Sequence, residues 1–183
     1  MRKILVILAM FFAVCPVFSQ KISVDKVKDG YRVIQTERTA HVFLVKGTMN
    51  DGAVSLDYIE NGMYKQYSIV LYFYQEYNIE KGAKLLLKLD NGEVIELSCS
   101  SDISHTYTGN AFAQIPISFV SYQITPEQLK TIETNNVVKL RAETSTDYLD
   151  GKVYGKKFTK AITKDHELIQ ETLSQETSIY DDF

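Results

Sequence analysis

A thiol, a carboxylate and an imidazole occur within seven residues of one another, at Cys99, Asp102 and His105. Nucleophilic catalysis by cysteine needs a thiol in contact with an imidazole and a third group that orients the ring. No family signature surrounds these residues, and the partners of catalytic cysteines usually come from distant segments. We therefore expect Cys99 to be a buried structural thiol, and keep a thiol-dependent enzyme using Cys99 and His105 as the alternative.

Metal or cofactor chemistry has less support. The three histidines, His41, His105 and His166, share no spacing that would place two of them on one helix face or hairpin. Residues 90–92 (Asp-Asn-Gly) resemble the start of a calcium loop, but no full set of ligands follows and a turn explains them. The sequence predicts no metal and no cofactor.

Aromatic residues are the other group with functional potential, since the chain has 12 Tyr and 9 Phe. Aromatic faces on a sheet can stack a sugar ring or anchor a protein partner. Tyrosine also simply favours pleated, half-buried surfaces, which is the structural alternative. The predicted binding residues are Tyr64, Tyr72, Tyr74, Tyr107 and Tyr122.

The first 19 residues have the pattern of a cleavable signal peptide. Arg2 and Lys3 precede an apolar run over residues 4–14, and Val17 and Ser19 supply small residues for cleavage before Gln20. That run is short against the roughly 20 residues of a membrane span. We expect an exported protein, periplasmic or secreted, with no transmembrane anchor after cleavage.

Cys15 offers a second reading, a lipoprotein anchored through that cysteine, although the residues before it match a lipidation site poorly. If Cys15 is removed with the leader, Cys99 is the only cysteine left and no intrachain disulfide forms. Residues 20–183 contain 18 Lys and Arg against 23 Asp and Glu. This acidic balance argues against nucleic acid as a partner.

Short alternating segments separated by turns dominate the rest of the chain, which favours an antiparallel sandwich or barrel over alternating β-α-β units. We predict one antiparallel β-sandwich domain over 20–174, followed by an acidic, flexible tail over 175–183. Residues 100–110 are polar and predict a long loop. Strands are predicted over 30–36, 40–46, 53–59, 63–76, 84–89, 93–99, 114–124, 137–144 and 148–154.

The hairpin over 85–99 allows its register to be predicted. A three-residue loop over 90–92 sets Leu87 opposite Ile95 and Leu85 opposite Leu97, whereas a two-residue loop would bury Glu96.

Two helices are predicted. The first is a short internal helix that begins after Thr125 with a capping box completed by Gln128. The second is an amphipathic C-terminal helix with an apolar stripe along one side. That stripe consists of Phe158, Ala161, Ile162, Ile169 and Leu173. We expect either this helix or a long loop to cover the second face of the strand that contains Tyr72.

Three segments carry a resemblance: residues 122–129 (YQITPEQL), 137–143 (VVKLRAE) and 156–162 (KKFTKAI). They resemble a group of small exported β-sandwich proteins from Gram-negative gut-type bacteria, mainly over residues 85–169. The resemblance implies a fold and a compartment, and it carries over no catalytic residue. Together with the residue patterns, it leads us to expect an exported, non-enzymatic binding module with a protein or carbohydrate partner.

Overall fold

Eleven strands and two helices make up residues 20–110 and 113–181, which a computed structural model describes. The predicted leader and Cys15 lie outside the described residues. The strands are β1 (Ile22–Lys28), β2 (Tyr31–Thr36), β3 (Thr39–Val45), β4 (Asp51–Glu60), β5 (Lys65–Phe73), β6 (Lys84–Leu89), β7 (Val94–Cys99), β8 (Ser104–Asn110), β9 (Ala113–Ile124), β10 (Val137–Glu143) and β11 (Tyr148–Val153). The helices are α1 (Pro126–Thr134) and α2 (Lys157–Asp181).

Eight of these strands close into an antiparallel barrel in the order β4, β3, β11, β10, β6, β7, β9, β5 and back to β4. The final pairing is extensive, because residues 52–60 of β4 match residues 65–73 of β5 without interruption. The mostly-β prediction is confirmed, but the sandwich is wrong. Alternation in a sequence identifies the two faces of a strand, and it does not reveal which strand lies beside each edge.

Long strands make the closure possible. One edge of β4 pairs with β3 near its start and with β2 near its end, so the β1–β2 hairpin is added outside the barrel. In the same way β9 pairs with β8 along its first half and with β7 near its end. The predicted loop over 100–110 is therefore wrong in its second part, because residues 104–110 form β8.

The β6–β7 hairpin has the predicted register, with Leu87 opposite Ile95 and Leu85 opposite Leu97. Gly92 closes the turn with φ +90°, a conformation that glycine adopts without strain. Its amide donates to the carbonyl oxygen of Leu89 over 3.1 Å. The core side chains of both strands are buried, which confirms that burial selects the register.

The capping box of α1 is also confirmed. The backbone amide of Gln128 donates to Thr125 Oγ1 over 3.2 Å, and the Thr125 amide donates to Gln128 Oε1 over 3.0 Å. Leu129 and Ile132 fix the helix to the core.

Helix α2 packs on the inner side of the sheet. The expectation that it covers the face carrying Tyr72 is wrong. Phe158, Ile162 and Ile169 join the single apolar core. Gln170 Nε2 donates to the hydroxyl of Tyr67 over 2.6 Å, and Tyr67 lies on the same face of β5 as the core residue Ile69. The helix therefore contributes to the core from the inward-facing side of the sheet, where it contacts β2, β3 and β4.

One residue of α2, Asp165, places a carboxyl group in the core. Asp165 is fully buried, and among the described residues neither carboxyl oxygen has a hydrogen-bond partner of good geometry. Burial raises the pKa of Asp165 to about 7, an effect that the nearby Thr36 hydroxyl and Leu56 backbone offset only in part. Burial likewise raises the pKa of Asp57 to about 6, although Gln35 donates a hydrogen bond to it.

These carboxyls predict a stability that falls as the pH rises from about 4 to about 7. In that window the folded chain holds Asp165 protonated while the unfolded chain has released the proton, so the folded state binds more protons. We expect Asp165→Asn to flatten most of this slope in thermal unfolding curves recorded across the window. Glu171→Gln, at an exposed position of α2, should leave the slope unchanged; an unaltered slope in Asp165→Asn would contradict the assignment.

Candidate functional site

The residues of the possible thiol site are each engaged elsewhere. Cys99 is buried, and its Sγ donates to the carbonyl oxygen of Ser101 over 2.6 Å. His105 belongs to strand β8 rather than to a loop. Its Nδ1 lies 2.9 Å from Oγ of Ser118. Asp102 accepts a hydrogen bond from the Lys81 amide. Burial raises the pKa of the Cys99 thiol, and a raised thiol pKa disfavours the nucleophilic thiolate.

The predicted tyrosines do not form one site. Tyr122 is fully buried in the core and has no surface to offer a ligand, so its assignment as a binding residue is corrected. Tyr64 is exposed in the turn between β4 and β5, and Tyr107 is exposed on β8, where its hydroxyl donates to Glu76. Their binding role stays a prediction.

Tyr72, on the outer face of β5, and Tyr74, just after the end of β5, do come together. The guanidinium of Arg38 lies 5.8 Å from the ring centroid of Tyr72 and 6.0 Å from that of Tyr74. Tyr72 also stacks on Phe119 at 6.0 Å, and its hydroxyl lies 3.2 Å from Oγ of Ser55. Internal partners therefore already occupy the ring and the hydroxyl of Tyr72.

A different surface collects unpaired charge on the outer face of β6, β10 and β11. The register places Lys139 of β10 directly opposite Lys88 of β6 on one side and directly opposite Lys152 of β11 on the other. All three lysines are exposed. None forms an ion pair within residues 20–110 and 113–181. Like charges that face each other across strands destabilise a sheet, so this row has a cost for folding.

The next row on the same face is partly neutralised. Arg141 donates two hydrogen bonds to Asp150, 2.5 and 2.9 Å long. These bonds, with the positive charges of Lys46 and Lys139 nearby, hold the pKa of Asp150 below its usual range. The part of this face around Lys139, together with Lys46 just after the end of β3, thus combines five cations with one carboxylate, on a chain whose formal net charge is −3. We call Lys46, Lys88, Lys139, Arg141 and Lys152 the cationic face.

A hollow of about 630 Å³ lies between these side chains, with Leu86, Val94 and Val138 among its lining. Val138 reaches it because of a β-bulge. Residues 137 and 139 of β10 face the adjacent residues 89 and 88 of β6, which leaves Val138 as the extra residue. The bulge lets Val137 enter the core while Val138 stays outside, and bulges often re-aim side chains next to functional sites.

An oriented imidazole adjoins this face. Leu44 of β3 is paired with Lys152 on one side and with Asp51 on the other. Asp51 accepts hydrogen bonds from His41 Nδ1 over 2.5 Å and from the Tyr154 hydroxyl over 2.7 Å, and these bonds lower the pKa of Asp51. His41 is exposed and has φ +54°, which is strained for a residue other than glycine. The Asp51 carboxylate therefore fixes a solvent-facing histidine at one border of the cationic face.

The sequence contained part of this signal. In the sequence, Lys139 and Arg141 alternate with Leu140 and Ala142, which indicates an outward face for the two cations. The cationic face becomes visible only when β6 and β11 are aligned on either side of β10. The bulge at Val138 leaves no trace in the sequence pattern.

Comparison with protein-family models, with curated proteins and with solved structures returned no match for this chain. Within the described residues, no helix has the length and apolar composition needed to cross a membrane. In the same part of the chain, no three His, Cys, Asp or Glu side chains are grouped so that they could hold a metal ion.

The burial of Cys99 predicts slow thiol labelling in the native protein at neutral pH, with rapid labelling only on unfolding. The control is the double variant Cys99→Ser, Ser98→Cys, which moves the thiol by one residue. Ser98 is exposed on the outer face of β7, so a thiol at position 98 should label at once. Rapid native labelling of Cys99 with an acid-shifted pH profile would favour the thiol-enzyme alternative.

The lysine row predicts that Lys139→Gln stabilises the protein. Removing the central charge relieves two like-charge contacts, so we expect a gain in the free energy of unfolding of about 0.2–1 kcal/mol. Chemical denaturation at low and high salt measures it, and the gain should shrink as salt screens the lysines. Lys26→Gln on β1, where the cross-strand neighbour is Val33, is the control; an equal gain there would contradict the argument.

Proposed function

We propose that this chain is an exported binding module, not an enzyme, that recognises an anionic ligand through the cationic face. The observation that carries the proposal is the row of Lys88, Lys139 and Lys152, placed side by side on three adjacent strands without ion-pair partners among the described residues. A protein gains nothing in stability from such a row. Residues that lower stability are typical of binding sites, where function maintains them.

Export rests on the leader pattern and on the resemblance to small exported proteins. The non-enzymatic assignment is supported by the thiol, because Cys99 is buried and bonded to the Ser101 carbonyl. The ligand was expected to be a protein or a carbohydrate; the charge of the face adds that the ligand bears acidic groups. The cationic face has a local charge opposite to that of the chain as a whole, which gives an anion a preferred place to bind.

The test is an NMR titration of residues 20–183 with inorganic tripolyphosphate, a compact polyanion with no further recognition features. We expect chemical-shift changes on β6, β10 and β11 that weaken strongly as the salt concentration rises. The triple variant Lys88→Gln, Lys139→Gln, Lys152→Gln should lose the response while remaining folded, because each substitution removes repulsion.

The matched control removes three exposed lysines elsewhere, in Lys26→Gln, Lys28→Gln, Lys81→Gln. It lowers the net charge equally and should bind as the parent protein does. A response that is the same in both triple variants would show that tripolyphosphate senses only overall charge, and the proposed site would be wrong.

A further inference from the structure

The hollow in the cationic face has an aliphatic floor as well as a charged rim. Leu86, Val94 and Val138 lie on the outer side of the sheet, where strands normally present polar side chains to water. The side chain of Val94 is 53% exposed. A ligand that carried only charge would leave this apolar surface in water.

Each lysine side chain also has an apolar part and a charged part. Their heads carry the charge, while the long aliphatic stems of such side chains cover apolar surface at their base. Lys88 is paired directly with Val94 across β6 and β7, so apolar floor and charged rim lie next to each other. The bulge adds Val138 to the floor beside Lys139. The hollow is thus apolar below and cationic above.

The size and lining of the hollow select among acidic ligands. A volume of about 630 Å³ falls within the range of sites for small molecules, roughly 300–1,000 Å³. The hollow is lined by aliphatic side chains and cations, without an aromatic ring among its described lining residues. Sugar rings are bound chiefly by stacking on aromatic faces, so this floor suits a hydrocarbon chain better than a glycan.

We propose that the ligand of the cationic face is a single-chain amphiphile with an acidic head group. The lysine row binds the phosphate, sulfate or carboxylate head, and Leu86, Val94 and Val138 bind the hydrocarbon chain. This inference rests on the proposed function, and it replaces the expected protein or carbohydrate with a lipid-like small molecule. Arg141 is held by Asp150 and contributes less to the head-group contact.

The experiment is calorimetric titration of residues 20–183 with sodium alkyl sulfates of increasing chain length, each kept below its micelle concentration. Every methylene that becomes buried should strengthen binding about fourfold, until the floor is covered. Ethyl sulfate reports the head-group contribution alone, and decyl maltoside reports the chain without an acidic head.

Two substitutions separate the contributions. Val94→Asn should abolish most of the chain-length dependence while leaving ethyl sulfate binding intact, and the control Val27→Asn, at a position of β1 that is 75% exposed, should change nothing. Lys139→Gln should weaken binding of every alkyl sulfate by a similar factor and leave the increment per methylene unchanged.

The inference fails while the proposed function stands if ethyl and decyl sulfate bind equally and the triple lysine variant loses both. It also fails if a sulfated oligosaccharide binds more tightly than decyl sulfate, if decyl maltoside equals decyl sulfate, or if the protein binds anionic phospholipid vesicles but no monomeric amphiphile. Absence of binding by any anion, tripolyphosphate included, would overturn both proposals.

Discussion

The register of β10 between β6 and β11 is the constraint on which both the core and the cationic face depend. Side chains of a strand alternate between its two faces, so placing Leu140 and Ala142 in the core forces Lys139 and Arg141 outward. A slip by one residue would bury two cations and expose the core residues. The apolar interior therefore enforces a row of like charges that the outer face alone would not select.

The row of lysines lowers the stability of the fold, and the same row is what the proposed anion binding requires. The buried side chains hold the three lysines at the spacing of neighbouring strands, about 4.8 Å, where repulsion acts on them permanently. In the proposed function, an anion bound to this row would replace the repulsion between the lysines with attraction to the ligand. The face is pre-organised in this sense: the folding of the barrel has already met the cost of assembling the charges.

Local features were predictable because neighbouring residues determine them. The hairpin register around Leu87 and the capping box at Thr125 both follow from a few adjacent residues and from burial. Barrel closure, β8 and the burial of Tyr122 depend on pairing between distant segments, which alternation does not encode. The candidate site falls between these cases. The alternation around Lys88 and Lys139 indicates that both face outward, and only the pairing of three strands shows that they form a row with Lys152.

Closing the barrel also decides where the molecule has unprotected strand edges. Within the described residues, β1 and β8 each pair on one side only. Strand β1 carries Lys26 and Lys28, and charged edge residues discourage pairing with another chain. Strand β8 (SHTYTGN) has no lysine, acid or proline and is exposed along most of its length. At high concentration, β8 is therefore the edge most open to strand exchange and self-association.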